Sequence, residues 1–152
     1  MATVNPIPEG YHTLTPYLYF DGATKAIEFY KEAFGAKERM RLAGPDGTIG
    51  HAELEIGDSV LMMADLPAKS PSSLGATSVA FVLYVRDVDA AFQQALSAGA
   101  RLHQPLENKF YGDRMGTIID PFGHEWSLGS HIDDVSPEEM QRRAAAMPAM
   151  PA

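Results

Sequence analysis

Tyr17-Leu18-Tyr19-Phe20, followed by Ala26-Ile27-Glu28-Phe29-Tyr30 and Phe34-Gly35-Ala36, has an echo later in the chain: Val82-Leu83-Tyr84-Val85, Ala90-Ala91-Phe92 and Ala98-Gly99-Ala100. The copies stand about 65 residues apart, and in each an apolar, aromatic strand leads into an amphipathic helix stopped by glycine. A strand-then-helix unit recurring at close to half the chain length predicts two copies of one module related by a pseudo-twofold. Paired modules leave a cleft where their sheets meet.

Outward from these anchors, residues 15–20 read as a strand and residues 23–34 as a helix whose apolar stripe runs through Ala26, Ile27, Phe29, Tyr30, Ala33 and Phe34. Residues 37–43 and 49–56 are strands joined by the hairpin signal Gly44-Pro45-Asp46-Gly47, and residues 59–64 form the next strand. Residues 65–77, with two prolines and four serines or threonines, read as the linker. The second module repeats the order. A strand spans 78–85 and a helix 88–97, with Asp87 as N-cap and Gly99 as stop; strands follow at 101–106, 114–119 and 124–128. Ser136-Pro137-Glu138-Glu139 is a capping box that opens a last helix, with residues 147–152 as a disordered tail. The expected fold is α+β: two βαβββ modules forming a paired, curved mixed sheet with a central cleft. Residues 1–12 are an N-terminal arm, 13–131 the domain (modules about 13–65 and 78–131), and 132–152 the C-terminal helix and flexible tail.

The 152 residues suffice for one compact domain, and 45% apolar with 21% charged residues describes an ordinary globule. A formal charge of −8 argues against nucleic acid, which needs a basic surface, and suits either solubility or attraction of a cationic ligand. Without cysteine there is no disulfide, thiolate nucleophile or thiolate metal site, which agrees with a cytoplasmic location. Met1 to Gly10 has neither the apolar core nor the basic residues of a signal peptide, and no apolar run approaches the ~20 residues of a membrane span.

Two strand-helix-three-strand modules in a chain of this length resemble the vicinal oxygen chelate superfamily of glyoxalases, extradiol dioxygenases, fosfomycin-resistance enzymes and bleomycin-resistance proteins. The resemblance covers about residues 13–131. It rests on Tyr19-Phe20-Asp21 leading into Ala26-Ile27-Glu28-Phe29-Tyr30, on Phe34-Gly35-Ala36 and on the turn Asp120-Pro121-Phe122-Gly123-His124. Phe110-Tyr111-Gly112-Asp113-Arg114, with His51-Ala52-Glu53-Leu54, is similar to the PhnB-like branch. Fold alone does not name a reaction.

Metal-dependent members of that superfamily hold a divalent ion with side chains from the first and last strands of each module. Aligned on the motifs, those positions here carry Thr15, Met62, Ala80 and Ser127, which are poor ligands for such ions, so no metal or other cofactor is expected. His51, Glu53 and Glu55 alternate on one strand face and offer a weak alternative metal set in His51 and Glu53. Alternation with apolar Ala52, Leu54 and Ile56 also produces this pattern in a half-buried strand with a wet polar face.

The same parity turns Tyr17 and Tyr19, Val82 and Tyr84, and Glu125 toward the cleft, and sends Leu18, Phe20, Phe81, Leu83, Trp126 and Leu128 into the core. The expected ligand-binding residues are Tyr17, Tyr19, Met62, Tyr84 and Glu125, with two readings of the loop at Gly112: Tyr111 and Arg114 closing over the ligand, Arg114 as a clamp for an anionic group, or Asp113 and Arg114 fixing the loop by hydrogen bonds or a salt bridge. Three functions compete. One is a metal-free binding protein that sequesters an aromatic or cationic molecule. Another is a glyoxalase-like enzyme with Glu125 or Glu53 as general base or with a non-standard metal site. The last is a homodimeric interaction module with a filled cleft. Partners expected are a small molecule and a second copy of the chain, with neither nucleic acid nor membrane.

Overall fold

The computed structural model describes residues 3–148. The first module comprises β1 (Tyr17–Phe20), α1 (Ala23–Phe34), β2 (Lys37–Ala43), β3 (Ile49–Ile56) and β4 (Ser59–Asp65). A 3-10 turn (Pro67–Lys69) and α2 (Pro71–Leu74) lead to the second: β5 (Ala80–Tyr84), α3 (Val88–Ala98), β6 (Arg101–Asn108), β7 (Asp113–Ile119) and β8 (Glu125–His131). A final helix, α4, spans Pro137–Ala145. The strand orders are β1-β4-β3-β2 and β5-β8-β7-β6, with the first pair of each sheet parallel and the others antiparallel. The fold is α+β, with the two βαβββ modules that the repeat predicts. Each module has its own four-stranded sheet, and among the described residues no ladder joins them.

Each helix covers one face of its sheet because the apolar residues of the two elements have matching periods. α1 buries Ala26, Ile27, Phe29, Tyr30 and Ala33 against Leu18, Phe20, Ala52, Leu54 and Met63. In the second module Phe92 and Ala95 meet Ile118, Trp126 and Leu128. Gly116 permits this packing: a Cβ there would stand 2.7 Å from Phe92 and 3.0 Å from the Leu106 nitrogen. α1 also packs against α3, and the rings of Tyr30 and Phe34 lie 5.4 and 4.9 Å from Trp126, so one aromatic core bridges the modules.

The linker is more ordered than its composition suggests. Ser70 caps α2 by accepting from Ser73 N, and Pro71 occupies the first turn, where its missing N–H costs nothing. α1 begins at Gly22, which has no capping side chain. Asp65 at the end of β4 replaces it, its Oδ1 accepting from Gly22 N (2.9 Å) and Ala23 N (2.7 Å) and its Oδ2 from Ile49 N (2.9 Å). The α4 box is half made. Ser136 Oγ accepts from Glu139 N, but the Glu139 carboxylate turns to Arg142 and Arg143. Of the tail expected from 147 onward, residues 149–152 lie outside the described residues.

Candidate functional site

The sheet faces away from the helices carry the polar and aromatic residues. In register, Tyr17, Met62 and Glu53 stand side by side across β1, β4 and β3. The Tyr17 hydroxyl reaches His51 Nδ1 (3.0 Å), His51 Nε2 lies 3.0 Å from Glu53 Oε2, and the Tyr11 hydroxyl donates to Glu53 Oε1. The Tyr17 ring packs 5.3 Å from Tyr19, over which Lys69 Nζ sits at 5.5 Å. Sequence alternation predicts a wet polar face here, yet Glu53 is only 8% exposed. The reason is the N-terminal arm, which runs along this face and leaves a groove of about 600 Å³ lined by Pro8, Tyr11, Thr15, Arg39, Glu53 and Met62, among others. Burial pushes the Glu53 carboxyl up, but hydrogen bonds from Tyr11 and His51, with the charges of His51 and Arg39, outweigh it and hold Glu53 below its usual value.

On the second sheet Ala80, Val82 and Tyr84 face away from α3, and Val82 and Tyr84 keep 57% and 60% of their surface exposed, so one chain does not fill this face. The Tyr84 hydroxyl donates to Asp113 Oδ2 (2.6 Å), Asp113 Oδ1 lies 2.8 Å from His131 Nδ1, and His131 Nε2 lies 2.8 Å from Asp134 Oδ1. Asp113 is buried; that burial raises its carboxyl, and the bonds from Tyr84 and His131 overcome it and bring it below the ordinary range. The two carboxylates in turn raise His131. Thr117 and Ser127 bond each other nearby at 2.8 Å.

Of the residues expected at the site, Tyr17, Tyr19 and Met62 share the first sheet with His51 and Glu53. Tyr84, Glu125 and Tyr111 lie with the second, Tyr111 directing its hydroxyl at Met115 Sδ (3.6 Å). No hydrogen bond or ring contact links these two groups among the described residues. Of the two roles expected for Arg114, its contacts are those of a residue that fixes the loop. On a strand whose Asp113 faces the open side it points the opposite way, toward α3, and its guanidinium grips Asp89 with two bonds of 2.9 and 2.8 Å and Asn108 with a third. It fastens the loop to the helix and is turned away from the face it was expected to close.

Sequence reasoning missed Tyr11, Asp113 and His131. Starting β7 at Arg114 hid the alternation Asp113, Met115, Thr117, which would have placed Asp113 on the open face. Ending β8 at Leu128 hid His131, which pairs with Asp113 in register.

The positions where related folds hold a divalent ion present hydroxyls, a thioether and a methyl (Thr15, Ser127, Met62 and Ala80), a donor set unsuited to such an ion. His51 and Glu53 bond each other, and among the described residues no three His, Asp or Glu side chains stand together as a metal site. No helix among them is long and apolar enough to cross a membrane.

Residues 12–128 match the family model of the Glyoxalase/Bleomycin resistance protein/Dioxygenase superfamily. An uncharacterized protein of Mycobacterium tuberculosis is 47% identical over 135 residues, covering 84% of this chain and 79% of its own. The crystal structure of TioX from Micromonospora sp. ML1 aligns with a TM-score of 0.64 at 26% identity, over 80% of this chain and 99% of that one. A PhnB protein from Bacillus cereus, described as a putative 3-demethylubiquinone-9 3-methyltransferase, shares the fold with a TM-score of 0.60 at 20% identity, over 78% and 99% of the two chains. The family match spans both modules, as does the repeat, and the chain accordingly belongs to the glyoxalase/bleomycin resistance protein/dioxygenase superfamily.

Proposed function

We propose that this is a metal-free small-molecule-binding protein that holds an aromatic or cationic ligand against the open faces of its two sheets. The observation that carries the reading is the exposure of Tyr17 and Tyr84, each on a sheet face with its hydroxyl tied into a hydrogen-bonded network that contains a buried carboxylate, Glu53 or Asp113. Such rings are held in place before a ligand arrives, so little side-chain entropy is lost on binding. The formal charge of −8 adds a field that draws cations. Tyr19, Met62, Tyr111 and Glu125 complete the lining.

A second copy of the chain belongs to the proposal. β1 and β5 are edge strands, and Val79 just before β5 and Val82 on it expose more than half their surface, an apolar edge that a homodimer would cover while bringing open faces together. A cytoplasmic home fits a chain whose fold needs no disulfide.

The test is a thermal-shift and calorimetric screen of planar aromatic and cationic compounds on the full chain, with its mass measured by light scattering. Tyr17→Ala and Tyr84→Ala should each weaken a hit about tenfold or more while leaving the circular dichroism unchanged. Unfolding of either variant, or undiminished binding by both, would sink the reading.

One observation favours a second reading. The chain Tyr17–His51–Glu53 has the layout of an exposed acid–base group backed by imidazole and carboxylate. Turnover lost in Tyr17→Phe and His51→Gln, with ligand still bound, would move the protein to the enzymes.

A further inference from the structure

Between the linker, β1 and the start of β5 lies a cleft of about 240 Å³ that His124 of the β7–β8 turn also lines. Its walls are held from three directions. His124 Nε2 stands 3.1 Å from the Tyr19 carbonyl oxygen, which can only accept, so the imidazole donates there whatever its charge and ties the turn to β1. Gly123 lies so close to α2 that a Cβ on it would come within 3.0 Å of Pro71. Ser70 donates to the Pro67 carbonyl oxygen (2.8 Å) and caps α2, which fixes the turn that carries Lys69.

The chemistry of the lining is one-sided. The chain has 20 Asp and Glu residues, yet none lines this cleft. The rings of Tyr17, Tyr19 and Phe81 and the side chain of Leu74 supply its apolar wall, and Lys69 Nζ sits 5.5 Å from the centre of the Tyr19 ring. Among the described residues the lysine–carboxylate pairs are those of Lys31 and Lys109, and Lys69 has no carboxylate within ion-pair distance. The hydroxyls of Tyr19 and Ser78, on the same lining, have no hydrogen-bond partner among the described residues, and neither is sealed away from the cleft or solvent. We infer that this cleft binds a small aromatic carboxylate, its ring against the tyrosines and its carboxylate paired with Lys69, open to donation from the Tyr19 or Ser78 hydroxyl. The volume falls below the ~300–1,000 Å³ of pockets for drug-sized ligands, which limits the occupant to about one ring. The site does not rest on the binding reading above, which draws cations to the open sheet faces; the two share only the Tyr17 and Tyr19 rings.

Benzoate and benzamide separate charge from shape. Each is titrated into the full chain at about pH 7, where a carboxylic acid is ionised and lysine protonated, and followed by proton–nitrogen correlation spectra. Benzoate should shift the backbone amides of residues 17–19 and 69–79 and bind about five- to tenfold more tightly than benzamide, the scale of one charge-assisted contact at a partly open site. Lys69→Met, a change at an exposed side chain, should bring benzoate down to the affinity of benzamide. Benzamide itself should change by less than about twofold, and so reports that the cleft of the variant is intact. No shift at ~10 mM benzoate, the weak limit for so small a ligand, would overturn the inference. Equal affinities for acid and amide, unmoved by Lys69→Met, would overturn it too. Shifts confined to His51, Glu53 and Met62 would also overturn it, while supporting the reading of the open faces.

Discussion

Asp120 shows how much one side chain can hold. Its Oδ2 accepts from the Tyr30 hydroxyl and from Trp126 Nε1 (3.0 Å), and its Oδ1 from the backbone nitrogens of Phe122 (2.9 Å) and His124 (3.0 Å). One residue thus ties α1 of the first module to the β7–β8 turn of the second. Asp120→Asn would set an amide donor against two of these donors, and thermal denaturation should show a loss of about 2–4 kcal/mol. Asp120-Pro121-Phe122-Gly123 was legible as a turn; that its carboxylate also receives Tyr30 was not, because that partner lies ninety residues away. His131 supplies a pH test. Its pKa is raised by hydrogen bonds to Asp113 and Asp134, so its contribution to stability is complete below about pH 6.5, the unfolded value, and is lost as pH rises through the higher folded value. Melting temperature measured from about pH 6 to 9 should therefore fall more in the native protein than in His131→Gln. Parallel curves would show that the His131 links are too solvent-screened to matter.

At the scale of elements, helices and hairpins were read well because their signals are local. Asp87 caps α3 by accepting from Ala90 N, and Gly35 ends α1 at φ 66°, both as their residue types predict. Strand ends were read less well, since pairing partners decide where a ladder stops. The loop before β7 illustrates the difference. Gly112 was expected to permit a tight bend, and at φ 98° it does, but it also receives the backbone N–H groups of Ile132 and Asp133 on its carbonyl oxygen. A Cβ at this glycine would run into the Asp133 carbonyl. Arg143 of α4 donates to the Phe110 carbonyl beside it (3.0 Å), so loop, β8 exit and last helix form one patch. Gly112→Ala should cost about 2–4 kcal/mol in urea denaturation and release α4, read as increased proteolysis after residue 131. An unchanged midpoint would mean that the 132–135 segment adapts freely.

For the whole molecule the decisive feature is the join between modules. Among the described residues the sheets share no ladder, and the connection runs through α1 against α3 and through the stack of Tyr30, Phe34, Phe81 and Trp126. Such a shared core predicts one cooperative unfolding transition for the chain. Trp126, the sole tryptophan, sits in that join, so its fluorescence and the far-ultraviolet circular dichroism should change at the same denaturant concentration. Phe34→Ala, removing a half-buried ring from the join, should lower stability by about 2–4 kcal/mol with the two probes still coincident. Separated transitions would show that the modules unfold independently.

The repeat, the order of elements and the parity of β1, β4, β5 and β8 were all contained in the amino-acid sequence, because periodicity and capping act between residues a few positions apart. Tertiary structure alone decided that the N-terminal arm shields Glu53, that Asp65 caps a helix begun forty residues before it, that Arg114 serves α3, and that Tyr84 gives its hydrogen to Asp113. Each of these depends on where a side chain from one element ends against another. Hydrogen bonds demand that position to within tenths of an ångström, and packing between distant segments sets it.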